Sequence, residues 1–462
     1  MIKKLAILSL FVIIVLTSIS PITDYDLWWH LSTGRYILEN REIPRIDVFS
    51  HTNYGTEWLD HEWLSEVIFF LSYEALGFKG LVLLKALAIL IAFGFLYKRS
   101  SFFTSPFFNI LLILAVIEMS KGAWLERPMI FTFALVSVYI YILDLYAKGI
   151  DKLWTLPILM LLWANLHGGF ILGILLTGIY ALTSKSRKLV YITGACTFAS
   201  LFNPYTYKLL LYPIQYAYES IHAKFILEWR SPIFHQFSTY EAMLLLSIIA
   251  LAKSKIKVSN RDLILLIIFT HLSLFATRNI SLYALVCAPI IAKYTESTVR
   301  GYLDGVDIRV NRIFLRGFLY TFVILGTISF LYAYFTIGSA LATSPQPNRF
   351  PENAVDFLLE NNYSGNMYNV YHWGGYAILR LYPNYRVFID GRADMYGDFI
   401  YEYLTVHRIE PKWREVLDKH EVSIVLIPIG EPLDVILLES RYWEETYRDE
   451  VAVVYIREVS LS

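Results

Sequence analysis

Asp24 and Asp26 stand two residues apart in "TDYDLWWH", and His61 and Glu62 follow in "LDHEW". A carboxylate held beside a hydroxyl acts as a general base, taking the proton as the oxygen attacks. Asp24, Asp26 and Glu62 are also hard oxygen donors, a candidate ligand set for magnesium or manganese. Arg127 in "LERP", Arg230 in "EWRSP" and Arg278 in "TRN" supply guanidiniums. Such groups clamp a phosphate and steady the charge left when it departs. His30, His167, Asp390 and Arg392 complete the candidates, read as lining the acceptor side or the surroundings of the site. Residues 23–63 alone hold three histidines, three arginines and four tryptophans, between two strongly apolar stretches.

The elements that must position these groups are membrane helices. The chain has 462 residues, of which 56% are hydrophobic and 17% charged, and its mean hydropathy is +0.48. That composition is far from the soluble average, and apolar runs recur through the first three quarters of the chain. Eleven helices are predicted, near 4–21, 80–97, 106–118, 129–147, 153–165, 167–183, 189–203, 239–252, 262–277, 279–294 and 313–336. Lys and Arg concentrate in one alternate set of loops: Lys3/Lys4, Lys98/Arg99, Lys148/Lys152, Lys185/Arg187/Lys188, Lys253/Lys255/Lys257/Arg261 and Lys293/Arg300/Arg309/Arg312. Positive loops stay in the cytoplasm, so the N-terminus is expected inside a plasma or inner membrane, with residues 21–79 and the C-terminal region outside. "MIKKLAILSLFVIIVLTSIS" is read as an uncleaved first helix, since Pro21 is a poor residue to follow a cleavage point. Cys196 and Cys287 each lie in apolar runs and give no disulfide framework.

Within the first outer loop, Thr23 with Asp26 and then Asp60 read as starts of two helices lying at the membrane surface, with Gly77 as a stop. Trp28 and Trp29 suit the headgroup layer. The loop between them holds Pro44, Asp47 and Ser50. Past "TSPQPNRFPENAV" the pattern turns globular, with strand-like runs in "NMYNVY", "RVFID", "VSIVLIP" and "VAVVYIRE". The expected organisation is therefore a membrane domain over 1–340 with a large outer loop at 21–79, followed by a small extracytoplasmic α/β domain over 345–462.

Further polar residues collect in the outer turns: Glu118, Lys121 and Glu126 before one helix, Asn165, Asn203, Glu228 in a long loop after the seventh helix, and Asn279. Ionisable groups at membrane depth are costly and mark functional sites, and a site opening outward explains their shared side. No phosphate-binding glycine loop and no dinucleotide fingerprint occurs, and nothing points to nucleic acid. A lipid-linked sugar phosphate fits these residues, its chain in the bilayer and its phosphate at the surface. A transporter or flippase for the same lipid, or a non-catalytic relative of such an enzyme, is the competing reading. A transporter would place charges at the bilayer midplane in paired halves, and no paired halves are visible.

Taken together, "DYDLWWHLSTGRYI", "IPRIDVFSHT", "GTEWLDHEWLSE" and "YHWGGYAILRLYPNYRVFIDGRADMYG" resemble a group of prokaryotic membrane proteins regarded as members of the GT-C superfamily of integral membrane glycosyltransferases. The superfamily includes protein O-mannosyltransferases, aminoarabinose transferases and the catalytic subunit of oligosaccharyltransferase. The resemblance implies a polytopic α-helical membrane protein with a small outer α/β domain. It also implies a polyprenyl-phosphate sugar as donor, a glycan, lipid or protein as acceptor, and a catalytic acid early in the first outer loop. Asp26, with Asp24 beside it, stands where that acid is expected, and Arg278 and then Arg127 where the donor phosphate is. "HEW" replaces the Pro-Pro segment of the mannosyltransferase and aminoarabinose branches. "HWGGY" is only distantly like the "WWDYG" signature of the oligosaccharyltransferase branch.

Overall fold

The computed structural model describes residues 2–218, 226–303, 316–328, 331 and 345–458. The chain divides into two compact units. One comprises Met1–Ser20 and Leu81–Ala342, the other Pro21–Gly80 and Thr343–Ser462. The first outer loop thus belongs to the same unit as the C-terminal region.

The first unit is helical. It begins with α1 (Ile2–Ser18); α2 (Leu27–Asn40) and α3 (Trp63–Leu76) follow in the other unit. It continues with α4 (Phe78–Ser100), α5 (Pro106–Ser120), α6 (Met129–Ala147), α7 (Thr155–Leu166), α8 (Ile171–Ser184) and α9 (Arg187–Ala199). Next come α10 (Tyr207–Tyr218), α11 (Thr239–Lys253), α12 (Asn260–Phe275), α13 (Ile280–Leu303) and α14 (Arg316–Ile328). Helices occupy the first ten expected segments. Of the last, 313–336, only 316–328 and 331 are described, and Arg309, Arg312 and the Arg300 side chain lie outside the described residues. The long loop expected after the seventh span contains α10 instead of being all irregular.

Among the described residues, three helices are long and apolar enough to cross a membrane: α4, Pro106–Ala123 and α6. Leu83, Leu87, Ile158, Leu182, Ile248 and Ile267 are exposed on helix surfaces in this unit. So much outward apolar area suits hydrocarbon rather than water. Several basic residues assigned to loops are in fact packed. Arg99 is 2% exposed and its Nε donates to Asp144 at 2.8 Å, with Nη1 on the Val286 carbonyl at 2.8 Å. Tyr180 also donates to Asp144, and Lys293 and Tyr294 both donate to Asp262. These pairs tie α4, α6, α8, α12 and α13 together.

The second unit is built on a four-stranded sheet: β1 (Asn366–Asn369), β2 (Val422–Pro428), β3 (Trp443–Arg448) and β4 (Ala452–Arg457), in spatial order β1-β2-β4-β3. Strands β1 and β2 run parallel and the other pairs antiparallel. The central strands β2 and β4 are almost wholly buried, which their continuous Val/Ile/Leu runs demand. Two strand assignments change. "RVFID" is not a ladder strand: Asn369 accepts from the Phe388 amide and donates to the Ile389 carbonyl, both at 2.8 Å, so side-chain bonds replace backbone pairing. "WEETYR" is a strand, at the sheet edge, where exposed Glu444 and Glu445 discourage further pairing.

The first-loop segment is stitched onto this domain by backbone. Val387 donates to the Phe49 carbonyl at 3.1 Å and accepts from the His51 amide at 3.0 Å. Thr52 Oγ1 donates to the Phe388 carbonyl at 2.7 Å. Helices α2 and α3 pack together and α2 also packs on α15 (Gly374–Leu381). Trp28 and Trp29 are not lipid anchors; they are 2% and 7% exposed. The Trp28 ring meets Phe350 at 4.9 Å, Tyr376 at 5.0 Å and Phe78 at 5.8 Å, edge-on in each case. Edge-to-face packing of that kind satisfies the aromatic quadrupoles and makes the indole a core piece.

Replacing Trp28 by alanine is expected to cost about 3–5 kcal/mol, the usual toll for a buried indole. Replacing Trp154, which is 64% exposed, is expected to cost little. Thermal unfolding of both variants in nanodiscs checks this: equal midpoints would show that Trp28 is not a core residue.

Candidate functional site

Asp26 occupies the N-cap position of α2 with helical φ and ψ of −83° and −24°, and its side chain makes no capping hydrogen bond. Capping, the ordinary use of an aspartate there, is therefore not what fixes this carboxylate. Its Oδ1 instead lies against the backbone of Gly391, where a Cβ atom would come within 2.1 Å of it. Asp24 is 2% exposed, and its Oδ1 accepts from the Asp26 amide at 3.2 Å. One acid thus shapes the turn that presents the other. Two more glycines set the seat: a Cβ on Gly375 would be 3.0 Å from the Tyr25 carbonyl, and one on Gly374 2.1 Å from that of Ile389. The "HWGGY" and "DGR" motifs are thus explained by close backbone approach, which only glycine allows.

Below this turn lies a buried acidic cluster. The helix α3 starts two residues later than expected, with Glu62 at the N-cap, while Asp60 accepts from the Glu62 amide at 3.1 Å. His30 Nδ1 is 3.1 Å from Glu66 Oε1 and its Nε2 is 3.8 Å from Glu62; His61 lies 3.5 Å from Glu62. Asp60 and Glu66 share a side-chain hydrogen bond. Burial pushes Asp60 up to about 7 and raises Glu66 well above the usual carboxylate range, each aided by the other's charge or by a nearby acid. Glu66 was not anticipated, because it stands inside an apolar helical run; its spacing of four from Glu62 was the available signal.

Asp390 and Arg392 are fully buried. The guanidinium donates to Asp390 through Nε at 2.8 Å and Nη2 at 2.6 Å, and Nη2 reaches Asp47 at 2.9 Å. Tyr396 donates to Asp390 at 2.7 Å, and Arg392 stacks over Trp58 at 4.7 Å. Asp47 also accepts from the Phe49 and Ser50 amides and the Ser50 hydroxyl.

In the helical unit a second group forms. Arg127 and Arg278 both approach Glu228, at 3.4 Å and 3.5 Å. The two arginine side chains are 26% and 25% exposed and the glutamate 38%. Arg278 stacks over Trp229 at 4.6 Å. The Thr277 amide donates to the Arg230 carbonyl and its hydroxyl to the Glu228 carbonyl, both at 3.0 Å, which holds the 228–230 turn against α12's end; Arg230 itself is exposed. His167 is buried and bonded, with Nδ1 accepting from the Gly169 amide at 2.9 Å and lying 2.8 Å from Thr132 Oγ1. Glu126 pairs at 2.6 Å with buried Lys85, which also donates to Ser20; sequence reading missed Lys85 because it falls mid-helix. Glu118 and Lys121 form an exposed pair at 2.7 Å.

Among the described residues, no group of three or more His, Cys, Asp or Glu side chains is placed to hold a metal ion. Asp24, Asp26 and Glu62 are therefore not assembled as a ligand set, and no step below runs through a metal.

No family model matches the sequence, and no curated protein matches it. Solved structures do match in fold. The oligosaccharyltransferase AglB from Archaeoglobus fulgidus, in complex with an inhibitory peptide and a dolichol-phosphate, superposes with a TM-score of 0.63 at 11% identity, over 91% of this chain and 69% of that one. ArnT from Cupriavidus metallidurans, bound to undecaprenyl phosphate, gives 0.53 at 13% identity over 100% and 98%. The fold is GT-C-like. The A. fulgidus enzyme tethered to an acceptor peptide gives 0.54 at 12% identity, over 98% and 74%. The likeness takes in 91% or more of this chain in each case.

The acidic cluster has a pH signature. Because folding raises Asp60 and Glu66, the folded unit keeps protons that an unfolded chain would release. The stability Asp60 contributes is full below about pH 4 and is lost as pH rises through about 7. Asp60→Asn is expected to flatten that decline. Unfolding midpoints of wild type and variant from pH 4 to 8 check it: parallel curves would refute shared protonation.

Proposed function

We propose that this protein is a membrane glycosyltransferase that moves a sugar from a polyprenyl-phosphate donor to an extracytoplasmic acceptor. The observation that carries the reading is the convergence of Arg127 and Arg278 on one half-exposed carboxylate, in a chain whose fold is shared with enzymes solved holding dolichol-phosphate and undecaprenyl phosphate. Two guanidiniums gathered around one anion are equipped to take a phosphate instead.

In the proposed reaction an acceptor hydroxyl attacks the anomeric carbon and its proton passes to Asp26. The bond from that carbon to the phosphate oxygen breaks, and the lipid phosphate leaves with its new charge held by Arg278 and Arg127. Asp26 suits the base because its side chain is spent on no cap and is half-buried. Asp24 orients the turn. His30, His61 and Glu62 are proposed to line the acceptor side, with His167 and Arg230 in the surroundings of the donor. Asp390 and Arg392 are proposed to brace the turn that faces Asp26. The acceptor class, glycan, lipid or protein, is left to the assay, as is any stimulation by magnesium or manganese.

The test supplies polyprenyl-phosphate sugars and cell-envelope acceptors to the protein in nanodiscs and measures free polyprenyl phosphate. Asp26→Asn is expected to lower release by at least about 100-fold, the usual contribution of a positioned base. Arg278→Gln is expected to raise donor KM about tenfold through the lost charge-assisted bonds. Donor crossing between liposome leaflets, unaffected by Asp26→Asn and with no release, would replace transfer by transport.

A further inference from the structure

Helix α6 carries Arg127 just before its start and Lys148 just past its end, and its 19 residues rise about 28 Å. That is close to the thickness of a bilayer's hydrocarbon core, so Lys148 lies at the membrane face opposite Arg127. The other two helices of spanning length meet at the same face, where α4 ends at Ser100 and α5 starts at Pro106. The turn that joins them, "SFFTS", is held by the chain. The Phe102 and Phe103 amides donate to the Arg99 and Ser100 carbonyls at 3.1 Å and 2.9 Å. The Ser105 amide donates to Glu296 at 2.7 Å.

Cations gather on the rings of this turn. Lys148 Nζ lies 4.8 Å from the Phe102 centroid and 5.5 Å from that of Phe103, and Lys293 Nζ lies 5.3 Å from Phe103. Lys98 stands 5.1 Å over Phe95, which meets Tyr141 at 5.2 Å, and Tyr141 stacks on Phe102 at 5.5 Å. Lys293 is paired with Asp262. Exposed Lys98 and Lys148 form no ion pair among the described residues. The carbonyl ends of α4 and α6 answer only part of their charge, about half an elementary charge each. An apolar stripe leads up to them. Leu83, Leu87, Ile91 and Phe95 follow at four-residue steps along α4 and end at Lys98, and the first three are 48%, 54% and 38% exposed. A soluble anion would use the lysines alone, whereas a charged lipid uses the stripe as well. From this placement we infer that Lys98 and Lys148, seated on Phe95, Phe102 and Phe103, bind the headgroup of an anionic phospholipid whose chains lie along the α4 stripe. This site is separate from the donor phosphate site proposed at Arg127 and Arg278, and it holds whether or not the protein transfers a sugar.

The test is native mass spectrometry of the full-length protein in neutral detergent, titrated with phosphatidylglycerol or with phosphatidylcholine. Wild type is expected to bind phosphatidylglycerol the more tightly, by about fivefold for each of the two lysines. Lys148→Gln is expected to weaken that binding about fivefold, and Lys98→Gln on top of it about fivefold more, with phosphatidylcholine binding unchanged. Phe103→Leu keeps every charge and is expected to weaken it roughly twofold to fivefold by unseating Lys148. Lys121→Gln, which removes a positive charge at the other end of α5, is expected to change nothing. Equal affinity of wild type for the two lipids would overturn the inference. So would a loss in Lys121→Gln as large as that in Lys148→Gln, the mark of diffuse charge alone. Displacement of phosphatidylglycerol by millimolar inorganic phosphate would overturn the lipid assignment in favour of a soluble anion.

Discussion

The buried guanidinium of Arg392 is the constraint on which the second unit depends. It sits at 0% side-chain exposure between two carboxylates that are likewise fully buried, Asp390 from its own turn and Asp47 from a loop more than 340 residues earlier. Bringing three charges out of water is costly, and only close, well-directed pairing offsets it. Removing one partner would leave an uncompensated charge, so each acid needs the arginine and the arginine needs both. The Phe49 and Trp58 rings add cation–π contact at 5.2 Å and 4.7 Å. An interaction of this kind discriminates between registers, because a shift of one residue between loop and domain would take Asp47 away from the guanidinium and leave it buried without its partner. The loop's backbone bonds to Val387 and Phe388 then follow in one register only.

The same unit holds carboxylates in two opposed states. Burial of Asp60 and Glu66 outweighs the pull of the nearby Arg392 charge and raises both above the ordinary carboxylate range. Asp26 is only half-buried, at the helix start, with its Oδ1 near the Gly391 backbone. A proton acceptor for an attacking hydroxyl has to be reachable by substrate, and the interior pair is buried. The interior pair instead fills a polar niche with shared hydrogen bonds, and His30 closes it at 3.1 Å. Acids clustered in a sequence are therefore sorted by depth, and depth assigns their chemistry.

Much of the fold was legible in the sequence because the signals were long and one-dimensional. Apolar runs marked the helices of the first unit, and β-branched runs marked β2 and β4. What escaped depended on partners distant in sequence. The Trp28–Trp29 pair carries the mark of a membrane belt, and only Phe350 and Tyr376, some 320 to 350 residues later, turn Trp28 into core. "RVFID" alternates like a strand, yet Asn369 takes its hydrogen bonds with a side-chain amide. "WEETYR" looks too charged for a sheet because an edge strand is designed to look so. Among site residues, acids and arginines in outer turns were visible by type, whereas Lys85 and Glu66 were hidden within apolar helices.

Glu228 shows how a binding group can be stored ready for use. Charge-assisted bonds from arginine to a carboxylate usually close to about 2.7–2.9 Å, and Arg392 with Asp390 shows that this chain reaches such distances. Arg127 and Arg278 stand off from Glu228 at 3.4 Å and 3.5 Å, with about a quarter of each side chain still open to its surroundings. A loose contact with one shared carboxylate offsets the repulsion between two like charges. A phosphate offers more oxygen acceptors than a carboxylate and matches the guanidinium fork as well. The Trp229 ring under Arg278 and the Thr277 bonds to the 228–230 turn hold the arginine and the glutamate-bearing turn together. Under the proposed function, tighter pairing would stabilise the resting protein more and leave the two guanidiniums poorer at taking a phosphate.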